Sequence, residues 1–456
     1  MSRKHFGTDG IRGVANTKLT PELAFQLGQA AGRWLFANGQ TPRVVIGRDT
    51  RRSGPMLGAA IASGFCSVGV DVVALGVAPT PAVVYIARTG EYGMGVIISA
   101  SHNPAPDNGI KLVGHDGRKL SDDTELEIEG YFDIALDSRP VGGEVGTLVS
   151  SREEIGSYLD FLETIVPERL DGMKVAVDGA NGAAYELGPA ILARLGAQVS
   201  LTGVSPDGMN INDECGATTP GHVQKFTVGS EAEIGVAFDG DADRAVFSDE
   251  QGRLINGDRT LGMWAEHHKA EPAIVVGTIM SNGGFEAYLT QKGFKLERTP
   301  VGDKYVAQKI AESGSRIGGE QSGHIIFPER QPTGDGLVTM LEVLRVLKQS
   351  GKTASSFVDA YEPWPQVLIN VEVADRGTWD KSTQVQESLE KAQVQLGSNG
   401  RLNVRASGTQ PMIRVMVEAD SYELRDEVAE SILASLQEHA GAKVYSRVDL
   451  THALGD

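Results

Sequence analysis

The chain has 456 residues, with 42 Lys and Arg against 60 Asp and Glu, giving a formal net charge of -18. At roughly 100–200 residues per domain this length predicts about three or four domains. A content of 41% hydrophobic and 22% charged residues excludes wholesale disorder.

Two cysteines, Cys66 and Cys215, cannot supply a disulfide framework or a Cys-rich zinc site, so a reducing cytoplasm is expected. The acidic excess argues against nucleic acid, whose phosphates call for a basic face. The start, MSRKHFGTDG, lacks the apolar stretch of a secretory signal. The charge-free run from Val72 to Ala87 contains Pro79 and Pro81 and is too short to span a bilayer, so no membrane partner is expected.

Thr20-Pro21-Glu22 predicts a helix start, with a capping hydroxyl, a proline in the first turn and a carboxylate at the positive dipole end. Leu23, Leu27, Ala30, Ala31 and Trp34 follow at helical spacing until Asn38-Gly39. The strand RVVIG (43–47), a helix from about Ser53, the strand DVVALG (71–76), a further helix and the strand GVIIS (95–99) come next. Such alternation indicates a parallel or mixed sheet covered on both faces.

The pattern recurs. RVVIG (43–47), KVAVDG (174–179) and AIVVG (273–277) are apolar strands entering glycine loops; ALGVAPT (74–80), LTGVSPD (201–207) and ERTPVGD (297–303) end in proline turns. GVIISASHN (95–103), GVAFDGDADR (235–244) and SRIGGEQSGH (315–324) come third in each set. The expectation is three tandem α/β units at 1–150, 151–253 and 254–364, with mixed sheets. A smaller α+β domain follows at 365–456, with strands at 367–373, 401–407 and 413–419, helices near 380–396 and from Tyr422, and a linker at 362–365. In open α/β sheets ligands sit beyond the carboxyl ends of the strands, so three equivalent loops can surround one central cleft.

Asp239, Asp241 and Asp243 alternate within DGDADR, directly after an apolar strand. Their mutual repulsion becomes attraction around a hard cation, and Mg²⁺ is the expected ion. An EF-hand fails, because Arg244 holds the position that needs glycine. Ser101, in SASHNP, is presented at a strand end but lacks the Gly-x-Ser-x-Gly elbow of a hydrolase. Beside a metal site it is a candidate phosphate acceptor. Arg405, Ser407, Gly408, Thr409 and Arg414 form a predicted phosphate grip of guanidiniums, hydroxyls and freed backbone N–H groups. Glu320, Ser322 and His324 project from one loop and suit sugar hydroxyls. Gly351-Lys352-Thr353 imitates a P-loop end, but Val346 stands where its first glycine belongs.

SASHNP, DGDADR, GEQSGH and RASGTQPMIRV, in that order, resemble the α-D-phosphohexomutases, and FGTDGIRG (6–13) with Gln321-Ser322 resembles the bacterial branch acting on glucosamine phosphates. The resemblance implies four domains around a cleft, and an isomerase converting glucosamine 6-phosphate to glucosamine 1-phosphate for amino-sugar nucleotide and cell-wall precursor synthesis. It implies a phosphorylated Ser101 that binds Mg²⁺ with the three aspartates, and a hexosamine 1,6-bisphosphate as intermediate and activator. Glu320 and Ser322 would hold the sugar and the 405–414 loop the idle phosphate. Arg12, Lys111 and His324 would line the reacting end with Arg244 nearby, His324 or Lys111 being the base. Ala406, Gln410 and Lys304 depart from the common pattern. The expected partner is a small sugar phosphate; a homodimer is compatible with the resemblance. The alternatives are a mutase for phosphomannose or phosphoglucose, a non-catalytic sugar-phosphate sensor and a metal-dependent phosphatase.

Overall fold

The computed structural model describes residues 3–7, 9–136, 138–373, 379–406 and 412–454. Three α/β units lay their strands in one repeated order. In the first, Arg43–Arg48 lies between two parallel neighbours, Asp71–Val77 and Met94–Ile98, and Asp107–Gly114 returns antiparallel beside the latter. Lys174–Asp178, Gln198–Thr202, Ile234–Phe238 and Ala245–Asp249 repeat this arrangement. Ile274–Thr278, Lys295–Thr299, Gly318–Gly319 and Ile325–Ile326 repeat it again. The first sheet gains Ile11–Val14 and Leu148–Ser150 at its two edges.

The local chemistry explains these elements. Met94–Ile98 and Ile234–Phe238 are buried at every residue, as strands covered on both faces must be. The helix Pro21–Ala37 starts where Thr20 accepts from Leu23 N at 3.3 Å, and it buries Ala24, Leu27, Ala30, Ala31 and Leu35. It packs tightly on Gly54–Cys66. A Cβ on Gly28 would meet Ile61 O at 2.3 Å, and one on Gly64 would meet Phe25 O at 2.2 Å.

One continuous hydrophobic core runs through all three units, including Val45, Leu75, Leu159, Phe238, Leu261 and Leu341. The last domain has its own core of Ile369, Val415, Val428 and Ile432 beneath an antiparallel sheet. Its sheet order is Gly400–Ala406, Met412–Ala419, Gln366–Glu372, Lys443–Asp449. The helix expected over 380–396 begins at Thr383, because the Ser382 hydroxyl caps Val385 N, leaving 379–381 as a separate turn. The P-loop imitation is a helix end: Gly351 closes Gly336–Ser350 at φ 64°.

The 362–365 stretch is anchored on the third unit. Trp364 N donates to Asn282 Oδ1 at 2.8 Å, and Gly283 N donates to the buried Glu418 carboxylate of the last domain at 2.8 Å. A cavity of about 520 Å³ lies at this seam, lined by Ile279, Leu396, Arg401, Asn403 and Met416. Neither Ser101 nor the aspartates line it.

Asp335 joins the second unit to the third. Its carboxylate accepts from Tyr158 Oη at 2.9 Å and caps Val338 N at 3.0 Å. Burial pushes the carboxyl up to about 6, against the pull of these donors. A raised carboxyl contributes stability that is complete below about pH 4 and is lost as pH rises through about 6. The stability of the natural chain relative to Asp335→Asn should therefore fall between about pH 4 and about pH 6.5, by on the order of 3 kcal/mol, and level off above that. Denaturant unfolding of both proteins checks this; a difference flat in pH contradicts it.

Candidate active site

The loops after the three third strands meet. Ser99 Oγ donates to Asp49 Oδ2 at 2.6 Å and accepts from Ser101 N at 2.9 Å. Ser101 is buried with a left-handed φ of 50°, and its Oγ donates to Asp239 Oδ2 at 2.6 Å. The two loops approach so closely that a Cβ on Gly240 would meet Ser101 O at 2.5 Å, so only glycine fits.

The acidic loop is gripped from both sides. Thr80 of the first unit donates through Oγ1 to Asp241 Oδ2 at 2.6 Å and through its N–H to Asp241 O at 2.9 Å. From the third unit, Gly336 N donates to Ala242 O at 3.0 Å, and Gly323 O accepts from Ala245 N at 3.1 Å.

Asp239, Asp241 and Asp243 each place one oxygen within 4.8 Å of the others. Burial, then repulsion from Asp243 and Asp241, pushes the Asp239 carboxyl well above the usual range; burial and Asp241 do the same to Asp243. The Arg244 charge opposes both shifts, and Arg244 N donates to Asp239 Oδ1 at 3.2 Å. Asp241 Oδ1 and Asp243 Oδ1 are buried without a hydrogen-bond partner. Converging hard oxygens with unused lone pairs fit a divalent cation.

The third loop brings a carboxylate and an imidazole. Glu320 Oε1 accepts from Gly302 N at 2.8 Å, and Ser322 and His324 are buried. His324 Nε2 lies 3.7 Å from Asp243 Oδ2, and neither ring nitrogen has a hydrogen-bond partner. Gly334 leaves room for the ring, since a Cβ there would lie 2.3 Å from Nε2.

Lys111, on the returning strand of the first unit, lies 3.1 Å from Asp9 Oδ1 and 3.8 Å from Asp303 Oδ2. Burial alone would lower the Lys111 ammonium, but Asp9, Asp303 and Asp243 outweigh it and hold it well above the ordinary lysine range. Asp9 also pairs with Arg12, and despite burial Lys111 and Arg12 hold its carboxyl far below the usual range. In the last domain Arg405 and Arg414 are direct partners across adjacent antiparallel strands. Ser407, Gly408 and Thr409 lie outside the described residues.

Models of the phosphoglucomutase/phosphomannomutase α/β/α domains I, II and III match residues 3–137, 156–252 and 256–364, and that of the C-terminal domain matches 368–435. The chain belongs to the phosphoglucomutase/phosphomannomutase family. Among relatives of this family member, a phosphoglucosamine mutase from Desulforamulus reducens is 45% identical over 94% of this chain and 99% of that one. One from Maricaulis maris is 46% identical over 94% and 97%. A solved phosphoglucomutase/phosphomannomutase family protein from Burkholderia thailandensis shares the fold at TM-score 0.81 and 24% identity, covering 96% of this chain and 98% of that one. The Aspergillus fumigatus N-acetylphosphoglucosamine mutase, solved with GlcNAc-6P and magnesium, shares it at TM-score 0.65 and 19% identity, covering 95% and 96%.

In this phosphohexomutase site, sequence reasoning missed Asp9, Asp303, Thr80, Asn212, which donates through Nδ2 to Ser101 O at 2.9 Å, and Asp49, with which Arg51 pairs through Nε at 2.8 Å. The available signal was GRDTRRS (47–53), a charged turn directly after a buried strand.

A divalent cation should raise the thermal midpoint of the natural chain, because an ion bound only by the folded state stabilises it by mass action. Asp241→Asn should abolish most of that rise in a calorimetric scan; an undiminished rise would place the ion elsewhere.

Proposed function

We propose that this chain interconverts glucosamine 6-phosphate and glucosamine 1-phosphate through a phosphorylated Ser101 and a hexosamine 1,6-bisphosphate, which also serves as activator. The observation carrying this reading is the Ser101 hydroxyl hydrogen-bonded at 2.6 Å to Asp239 of an aspartate triplet in which Asp239 and Asp241 are buried and Asp243 is half-buried. The names of relatives at 43–46% identity support the amino-sugar substrate. The Aspergillus mutase solved with magnesium supports Mg²⁺ as the ion.

Asp239, Asp241, Asp243 and Ser101 would hold Mg²⁺. Bound there, it would offset negative charge on the transferred phosphoryl oxygens. In the first half-reaction the P–O bond to Ser101 Oγ breaks and one forms to the sugar O1. The hydroxyl proton passes to His324 and then to the freed Ser101 Oγ. The bisphosphate turns around, its 6-phosphoryl group moves to Ser101 Oγ, and the serine proton ends on O6.

His324 is the base in this scheme because Lys111, ringed by three carboxylates, stays cationic and acts with Arg12 as a fixed positive charge. Glu320 and Ser322 hold the sugar hydroxyls, and Arg244 adds positive charge beside the aspartates. Arg405 and Arg414 face each other across the strand pair, a repulsive placement that a bound phosphate converts into attraction. Such a grip, with Ser407, Gly408 and Thr409, accepts either phosphate of the intermediate.

Ser101→Ala should fold normally and lose turnover entirely. Side-by-side assays of the 6-phosphates of glucosamine, glucose and mannose should show the amino sugar preferred in kcat/KM. Equal rates with glucose or mannose would shift the assignment to phosphoglucomutase or phosphomannomutase. Arg414→Ala should raise KM for the sugar phosphate by about tenfold or more, the worth of one charged contact. An unchanged KM contradicts the grip.

A further inference from the structure

We infer that Arg51 is a positioning residue for the phosphoryl-accepting hydroxyl, fixing the backbone of Ser101 so that Oγ points at Asp239. This rests on the reading of Ser101 as the phosphoryl acceptor, and it concerns a residue that does not touch the substrate.

Arg51 has no exposed surface. Its Nε donates to the equally buried Asp49 Oδ2 at 2.8 Å, and its backbone N–H donates to Asp49 Oδ1 at 2.9 Å. The far end of the guanidinium is spent on backbone carbonyls of a single turn. Nη2 donates to Ser101 O at 2.9 Å and Asn103 O at 2.7 Å, and Nη1 donates to Pro104 O at 2.5 Å. Asn212 of the second unit donates through Nδ2 to two of the same carbonyls, Ser101 O at 2.9 Å and Asn103 O at 3.3 Å.

The amide side of Ser101 is tied to the same carboxylate. Ser101 N donates to Ser99 Oγ, which donates to Asp49 Oδ2. Both peptide groups flanking the Ser101 Cα are therefore pinned, one through Asp49 and Ser99, the other through Arg51 and Asn212. Pinning both fixes φ and ψ, and with them the direction of the Cα–Cβ bond. This matters because Ser101 sits at φ 50°, a region that non-glycine residues enter only when their surroundings impose it.

Stability alone is a weak reason for such an arrangement, since burying an ion pair gives little net gain over apolar packing. A planar fork, however, reaches three carbonyls at fixed angles, which a lysine ammonium cannot. Displacing a reacting oxygen by about 1 Å can cost on the order of a hundredfold in rate.

The test compares Arg51→Lys and Asn212→Ala with the natural chain. It measures kcat and KM for glucosamine 6-phosphate, and the rate at which Ser101 gains a phosphoryl group from glucose 1,6-bisphosphate, followed by intact mass. For folded Arg51→Lys, kcat and the phosphorylation rate should fall together by about tenfold or more, with KM within about threefold. Asn212→Ala should show the same split with a smaller fall. Guanidinium added to Arg51→Ala should restore part of the lost kcat, which it would not do for a protein merely destabilised. A folded Arg51→Lys with natural kcat overturns the inference. Should Arg51→Lys not fold, natural kcat in Asn212→Ala overturns it. A natural chain that never acquires phosphate on Ser101 overturns the functional reading itself, a distinguishable result.

Discussion

The structure depends on holding three carboxylates, two buried and one half-buried, and a serine hydroxyl together where three units meet. Burial and mutual repulsion both oppose ionisation of Asp239 and Asp243, so the cluster stays charged only with positive charge close by. Much around it follows from that constraint. Gly240 admits the serine loop, Thr80 and Gly336 clamp the acidic loop from either side, and Arg244 supplies part of the countercharge.

The repeated strand order is how the fold meets the constraint. Each unit turns from its third parallel strand into an antiparallel fourth, and that reversal carries the polar residues. The continuous core through the three units holds the three reversals in fixed relation. The last domain, with a separate core and the Arg405–Arg414 pair, is built as a body apart, joined through Trp364 and Glu418. A chemical centre held by one core beside a separately packed domain carrying an arginine pair suits the proposed turning of the bisphosphate.

Much of this was legible in the sequence because it is local. Apolar runs ending in polar loops revealed the strands and their recurrence, and alternating aspartates after a buried strand revealed the acidic cluster. The charged turn GRDTRRS marked Arg51 and Asp49 but not their task, because the partners of Arg51 are backbone carbonyls fifty positions away, which leave no side-chain signature. Asp9 and Asp303 escaped for a related reason. Both hold Lys111 charged, and that pairing exists only once the turn before Ile11–Val14 and the start of the helix Asp303–Ser313 meet beside the Lys111 strand. The same contacts hold the Lys111 ammonium well above the ordinary lysine range.

The central claim is that Ser101 and the aspartate triplet share one divalent ion. Anomalous diffraction from crystals grown with Mn²⁺ tests it most directly. A single strong peak bounded by Ser101 Oγ and oxygens of Asp239, Asp241 and Asp243 is the expected result. A peak elsewhere, with those oxygens free of metal, would contradict the account.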